Sequence, residues 1–524
     1  MKFSKKMAGQ GKKMNETDSV TRLSGDIYEN VRELESVFGP DSDLVVRFFK
    51  LENNRDLIGA NVYIKSLVDR GTVNSLSVEL SKLKCGARNG EFGINVDTFM
   101  SNFSGLREAK VGYDYEALFE DLLAGNIVLL IDGCKKYLAI MADSDEGRQV
   151  DEPSSQTVIR GPKEGFTEKI ECNILLIRKR IKSPDLRVEY LSLGSITRTR
   201  VSLMYLHRIA KEEIVREVRN RLNNIQIDSV LESGYIEELI KDDRYSIFPT
   251  FLSSEKPDSV VGALLEGKVA ILVDGSPYVL TVPALMIEFL QSSEDYYHHF
   301  IISSIIRFLR IVAALLTLLV PAIYIALTTY HQEIIPTPLL ISIASQREDV
   351  PFPALVEAMM MEVTFEILRE AGIRMPRAIG PAISIVGALV LGQAAVEAGI
   401  ISAVMVIVVS ITAISSFAIP NYEMSNAIRL IRFILMLLAG VLGLYGVLMG
   451  LIVLVLHLCK IKSITVPYLT PIVPRIKGGN KDTIFRFPLW KMKYRPIGIS
   501  GTDAARAGEG NPVNSSQKEK PEFR

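Results

Sequence analysis

Charge of one sign is not in excess in this chain. Lysine plus arginine total 60, and so do aspartate plus glutamate, so a polyelectrolyte partner such as nucleic acid is not implied. Cysteine is scarce. Cys85, Cys134, Cys172 and Cys459 lie far apart, and no two have metal-ligand spacing, which points to reduced thiols. His207, His298, His299, His331 and His457 form no ligand cluster. Walker, zinc-protease and nucleophile-elbow patterns are all missing, so no catalytic constellation is in view and no cofactor is expected. Met1 to Asp18 is polar and lysine-containing and lacks the apolar core of a signal peptide. The front of the chain is therefore expected in the cytoplasm.

What is present is segregation. Of 524 residues, 48% are hydrophobic and 23% are charged, and the two populations occupy different stretches. The length implies several domains. We expect a disordered arm over residues 1–25, two α/β subdomains over 26–155 and 156–295, a membrane domain over 296–463, and a basic, partly disordered tail over 464–524. The fold class expected is an α/β cytoplasmic front of two duplicated mixed α/β subdomains, then an α-helical multi-span membrane domain.

The duplication is read from a constant offset of about 142 residues. Asp43-Leu44-Val45-Val46 aligns with Asp185-Leu186-Arg187-Val188, and Tyr63 with Tyr205. Leu122 to Gly133 aligns with Leu264 to Gly275. In each copy a short strand is expected, Leu44–Leu51 and Val188–Leu193, and a buried strand, Ile127–Ile131 and Val269–Val273. Asp132-Gly133 and Asp274-Gly275 read as tight turns, because glycine accepts positive φ without steric cost. Tyr205 to Leu222 has apolar residues at helical spacing and predicts an amphipathic helix. Between the copies lies Arg160-Gly161-Pro162-Lys163-Glu164-Gly165-Phe166-Thr167-Glu168. It reads either as an ordered connection with solvated charges or as a contact site for another subunit. In the second case Arg160, Gly161, Pro162, Glu164, Gly165 and Phe166 are the candidates.

Ile302–Leu327 is the first expected span, at ~26 residues ample for a bilayer core. Arg307 and Arg310 favour a cytoplasmic start. Ile334–Ser345, at ~12 residues, is too short to cross and is read as re-entrant or interfacial. Ala378–Val396 and Ile400–Ile419 form an expected hairpin. Ile428–Cys459 would be ~48 Å long as one helix. Its Gly440, Gly443, Gly446 and Gly450 permit close packing or a break into two helices. The basic tail prefers the cytoplasm. Hence either the charged segment Val350–Arg377 does not fully cross or the last block folds back.

That charged segment predicts a helix over Phe352 to Ile373, bounded by Pro351 and Pro353 in front and Gly372 and Pro376 behind. At ~100° per residue, Glu362, Glu366, Arg369 and Glu370 share about one third of its circumference, and Glu357, Met361, Thr364 and Leu368 oppose them. Charges at membrane depth are costly unless paired or wetted. In a ring of subunits Glu362 and Glu366 become carboxylate rings that draw cations into a pore, with Met361 and Phe365 as an apolar gate. The competing reading is an amphipathic helix lying at the interface.

The chain resembles the A subunits of GerA-type spore germinant receptors over about residues 25 to 500. The resemblance rests on Arg160–Glu168, on Ser292-Ser293-Glu294-Asp295-Tyr296-Tyr297, and on Phe365 to Pro376. Pro467-Tyr468-Leu469-Thr470-Pro471, Trp490 and Arg495-Pro496 continue it. The resemblance implies a subunit of the spore inner membrane, with its N-terminal domains on the cytoplasmic, spore-core side. It implies a transporter-like B subunit that holds the nutrient and a C-subunit lipoprotein as partners. It implies self-association, as a pentamer, into a nutrient-gated cation channel that triggers germination. Glu362, Glu366, Met361, Phe365, Arg369 and Glu370 are then the pore-lining candidates. The alternative is a non-conducting permease partner or scaffold of the same receptor, and in neither case an enzyme.

Overall fold

The computed structural model describes residues 22–39, 43–50, 58–81, 109–142, 152–153, 156, 158–374, 392–474, 482–492, 494–496, 498–501 and 505–506. The N-terminal arm to residue 21, most of the expected Ala378–Val396 span, Gly478-Gly479 and the end of the tail lie outside the described residues.

The front consists of two sheets of one design. The first contains β1 (Leu44–Lys50), β2 (Ile58–Ile64), β3 (Ala109–Gly112), β4 (Asn126–Ile131) and β5 (Tyr137–Met141), in the order β1-β2-β4-β5-β3. Helices α1 (Ile27–Phe38), α2 (Arg70–Ser81) and α3 (Tyr115–Leu123) accompany it. The second contains β6 (Leu186–Leu193), β7 (Thr199–Leu206), β8 (Leu252–Ser254), β9 (Val269–Val273) and β10 (Val279–Val282), in the order β6-β7-β9-β10-β8. Its helices are α4 (Ile170–Arg180), α5 (Glu212–Asn223), α6 (Ser233–Ile240) and α7 (Pro257–Leu265). Position by position the two orders are the same, and every ladder is antiparallel.

The repeat extends to single hydrogen bonds. In the first copy Asp132 accepts from the Ile27 amide, and the Gly133 amide donates to Gly25. In the second, Asp274 accepts from the Ile170 amide and the Gly275 amide donates to Glu168. Both glycines sit at positive φ, 80° and 91°. The Asp-Gly pairs are thus hairpin turns whose carboxylates also cap the first helix of their own copy. The helix expected over Tyr205–Leu222 is shorter. Tyr205 and Leu206 pair in the sheet with Arg187 and Leu186, and α5 begins only at Glu212. Strand pairing on both sides of β7 outweighs a helical spacing that is fortuitous before Lys211.

The copies are joined through a buried charge pair. Arg178 of α4 donates to Asp43 at the start of β1 at 2.5 Å, both side chains being 0% exposed. Arg178 also donates to the Leu186 carbonyl, and Asp43 accepts from Ser66.

From Phe300 to Lys460 the described chain is mainly helical: α8 (Phe300–Thr329), α9 (Thr337–Arg347), α10 (Ala354–Arg374), α11 (Ala403–Phe417) and α12 (Tyr422–Lys460). α8 and α12 are long and apolar enough, by length and composition, to cross a membrane. α12 is not straight. Gly443 adopts φ 62° and ψ −143°, a conformation open to glycine and strained for other residues. The helix reverses there. A Cβ on Gly446 would lie 2.2 Å from the Leu438 carbonyl oxygen, and one on Gly450 would lie 2.5 Å from Leu435. Those approaches are impossible along a straight helix, where eight residues span ~12 Å. The fold-back alternative is the one found.

Contacts place the helix ends. α8 starts beside the second sheet and ends at Tyr330, whose hydroxyl donates to Gly440 and Val441 near the α12 reversal. The start of α12 abuts α6, and its end returns to the same domain, where His457 meets Ser246 at 3.1 Å. The tail continues on that face. Ile464, Val466 and Ile499 enter the core between the second sheet and α5, the Gly501 amide donates to Ile209, and Arg506 pairs with Glu266.

Removing one member of a fully buried pair leaves the other charge uncompensated, at a cost of about 3–5 kcal/mol. Arg178→Met is therefore expected to lower the thermal unfolding midpoint of the full chain in detergent by several degrees. Exchanging Asp43 for Asn in the same protein should recover part of that loss.

Candidate functional site

The charged helix α10 packs into the helical layer between α12 and α11, and its side chains ladder along them. Near its start Leu355 lies against Gly440. One turn later Glu357 accepts from the amide and hydroxyl of Ser402, at 2.6 and 2.5 Å, with Arg347 of α9 at 3.8 Å. Further on, Glu362 meets Arg432 at 2.7 Å, and both side chains are 0% exposed. Glu366 then meets Arg429 and, at 3.3 Å, Arg432. Near the helix end Arg369 stacks over Phe417 and Tyr422, 5.9 and 5.5 Å from the ring centroids. The contacts run down α12 from residue 440 to 422. α10 therefore passes from the far end of the layer to the end beside the front domains.

This sorts the expected site residues. Glu362 and Glu366 share one flank, as the wheel predicts, and that flank faces arginines of α12. Glu357, expected on the opposite face, is also buried, because α11 covers that side. Glu370 is outward, pairing only with Arg374 one turn on. Met361 and Phe365 are half-buried, Phe365 at 6.4 Å from the Phe417 ring. The outward face carries Val356, Val363 and Ile367. Arg429 and Arg432 were missed from sequence. The signal was available: two arginines at i,i+3 in an apolar block, matching two glutamates at i,i+4 in another.

The charges balance, but the geometry is imperfect. Neither Glu362 oxygen has a hydrogen-bond partner of acceptable angle. Arg432 Nε and Nη1, Arg429 Nε and Arg369 Nη1 are also buried without one. A polar network that is paired in charge and only partly satisfied in hydrogen bonds is costly for its size.

A second set of charges joins the front to the layer. Asp295 accepts from Arg307 at 2.8 Å and Arg310 at 2.9 Å, and Arg307 also reaches Asp482 of the tail at 2.6 Å. The Tyr296 hydroxyl donates to Asp482, and Arg486 donates to the His298 carbonyl. The loop 159–166 packs on this same stretch. Glu294 accepts from the Ile159 and Arg160 amides, and Tyr297 occupies the space where a Cβ on Gly161 would stand, 2.8 Å away. Gly161 has φ 142°, so both space and backbone call for glycine. Gly165 and Phe166 are buried, Glu164 pairs with Arg180, and Arg160 keeps its side chain exposed.

Next to this junction, a cavity of about 290 Å³ separates α6 from the start of α12. Glu232 and Glu237 line it from one side and Glu423 from the other. Burial and the Glu423 charge push the Glu237 carboxyl up to about 8.

A helical layer holding paired charges, with two helices long and apolar enough to cross a membrane, is carried on a duplicated α/β front. The family model described as "Bacillus/Clostridium GerA spore germination protein" matches residues 32–497, and the chain belongs to that family. Spore germination protein KA of Bacillus subtilis (strain 168) is 45% identical, over 93% of this chain and 89% of its own length. Spore germination protein A1 of the same organism is 42% identical, over 88% and 94%. Spore germination protein GerLA of Bacillus cereus is 38% identical, over 92% and 97%. The crystal structure of the N-terminal domain of the A subunit of the Bacillus megaterium spore germinant receptor GerK3 covers 51% of this chain and 98% of that one. It is 35% identical, with a TM-score of 0.39. The family is one of germinant receptor subunits and not a known enzyme class.

The Glu237 carboxyl yields a pH prediction. Folded, it holds its proton up to about pH 8, whereas unfolded it loses it near 4.5. Burial raises the Glu423 carboxyl as well, so within that window the folded chain binds more protons than the unfolded chain and stability falls as pH rises. Glu237→Gln is expected to flatten the fall of the thermal midpoint between pH 5 and pH 8.5 in full-length protein. An unchanged slope would show that the carboxyl titrates normally.

Proposed function

We propose that this chain is the A subunit of a spore nutrient germinant receptor and that several copies form a nutrient-gated cation channel in the spore inner membrane. The observation that carries the reading is the run of glutamates and arginines at mid-depth of an apolar helical layer. Charges there cost several kcal/mol each unless paired or wetted, so a chain that keeps a run of them is read as using them on a path for ions or protons. The names of the relatives support the receptor assignment. A ring, pentameric as the resemblance implies, would bring one copy of α10 per subunit to a common axis. A B subunit that holds the nutrient and a C-subunit lipoprotein are the expected partners.

The topology proposed has the front and the tail on the spore-core side. Supporting it, the starts of α8 and α12, the end of α12 and the tail all lie against the second sheet domain. The passes proposed for α8, α10, α11 and the two arms of α12 give an even number once the Ala378–Val396 span expected from the sequence, which lies mostly outside the described residues, is counted with them. In this arrangement Val356, Val363 and Ile367 supply an apolar constriction that gates by dewetting, and Glu370 supplies a carboxylate ring. Glu362 and Glu366 join the ion path once their arginines release them. Arg160, Pro162 and Glu164, which border the junction with the first span, are proposed contacts with a neighbouring subunit.

The test is electrical. Purified receptor in planar bilayers is expected to show discrete steps when a nutrient extract is added, and Glu370→Gln should lower cation conductance several-fold with the oligomer intact. Silence under every nutrient condition, from protein that assembles normally, would leave a permease partner or scaffold as the reading.

A further inference from the structure

We propose that Glu362–Arg432 and Glu366–Arg429 form a latch that holds α10 against the first arm of α12 in the resting state, and that activation exchanges these partners. The inference rests on the channel reading and adds to it a regulatory contact between two named helices.

Three observations carry it. First, the latch is the principal specific fastening of α10 on this side. Apart from Glu357 and Glu362, the buried residues of α10 are Ala354 and Ala358, which contribute little apolar area. Its larger apolar side chains are half-buried or outward. Hydrophobic burial thus holds the helix weakly, and charge pairing decides where it sits.

Second, the latch is incompletely satisfied. Both Glu362 oxygens, two Arg432 nitrogens and Arg429 Nε are buried without a well-aligned hydrogen bond. A buried pair with poor alignment recovers less of its desolvation cost than a bidentate one. Small rearrangements that wet the site therefore favour release.

Third, a replacement partner waits on α10 itself. Arg369 follows Glu366 at i,i+3, the spacing at which helical side chains meet. Its guanidinium lies over Phe417 and Tyr422, and its Nη1 is buried without a partner. When α10 turns or slides away from α12, Glu366 can exchange Arg429 for Arg369 and remain paired. The other charges around the latch are accounted for. Glu357 is held by Ser402 with Arg347 nearby, and Glu370 pairs with Arg374. The device has two states: both carboxylates held by α12, or Glu366 held by Arg369 with Glu362 and the α12 arginines wetted.

The experiment uses full-length protein reconstituted in liposomes in symmetric KCl with no nutrient present. Glu366→Gln and Arg429→Gln are each expected to raise the nutrient-free open probability at least tenfold. The charge-swapped pair Glu366→Arg with Arg429→Glu is expected to return it towards the parent value. A second readout is independent of conduction. Ala358→Cys, introduced into each protein one turn before Glu362 on the same buried flank, reports exposure of that flank through its rate of alkylation by a water-soluble maleimide. Alkylation at least tenfold faster in the Glu366→Gln background supports the latch, and if every protein is electrically silent the channel reading alone fails. Unchanged alkylation and unchanged open probability in assembled Glu366→Gln protein overturn the latch. So does loss of nutrient-evoked conduction there without faster alkylation, since the pairs would then support the open state.

Discussion

An unpaired charge inside an apolar layer is among the most expensive things a chain can carry, and the helical half of this protein is arranged around avoiding it. Among the described residues, the arginines of the layer and its edge meet carboxylates or aromatic faces. Arg307 and Arg310 share Asp295, Arg429 and Arg432 share Glu366, Arg432 also takes Glu362, and Arg369 lies over two rings. These pairings decide the register of the helices. α10 cannot slide by one turn along α12 without stranding Glu362 or Glu366. The reversal at Gly443 sits against the end of α8, where His331 and Tyr330 approach it and the Tyr330 hydroxyl donates to Gly440 and Val441.

The front domains solve a different problem with similar means. Two copies of one sheet would be free to move apart at the short connection between them. The Asp43–Arg178 pair, buried completely and shared with Ser66 and the Leu186 carbonyl, fixes one against the other. Asp43 has its counterpart in Asp185, which pairs with Arg208 of its own copy at 3.2 Å, whereas the position 142 before Arg178 holds Ser36. The repeat therefore supplies the carboxylate twice and the bridging arginine once. The repeated Asp-Gly turns belong to the unit itself: they close a hairpin and cap a helix in the same stroke.

Much of this was legible in the residues. The repeat was, because local chemistry carries it: an Asp-Gly turn after an apolar strand reads the same wherever it occurs. The acid stripe of α10 was, because helical periodicity fixes which side chains share a flank. Its partners were not, since Arg429 lies 63 positions beyond Glu366 and only packing brings them together. The burial of Glu357 escaped for the same reason, as a wheel drawn for one helix does not contain α11. The early start assigned to α5 came from apolar spacing alone, which cannot register that Tyr205 and Leu206 already have partners in the sheet. The choice between a packed and a broken α12 was posed by its four glycines and decided by the backbone of one, Gly443.

The tail has a mechanical consequence. Beyond its first hairpin it is fastened around Asp482 and Arg486 to the root of α8, and around Ile499 to Arg506 to the flank of the second sheet near Ile209 and Glu266. A strap anchored at both ends converts tilt of one body into tension on the other. Any leaning of the first long helix therefore pulls on the corner between β7 and α5, so the head and the root of the bundle behave as a braced frame and not as two parts on a free joint.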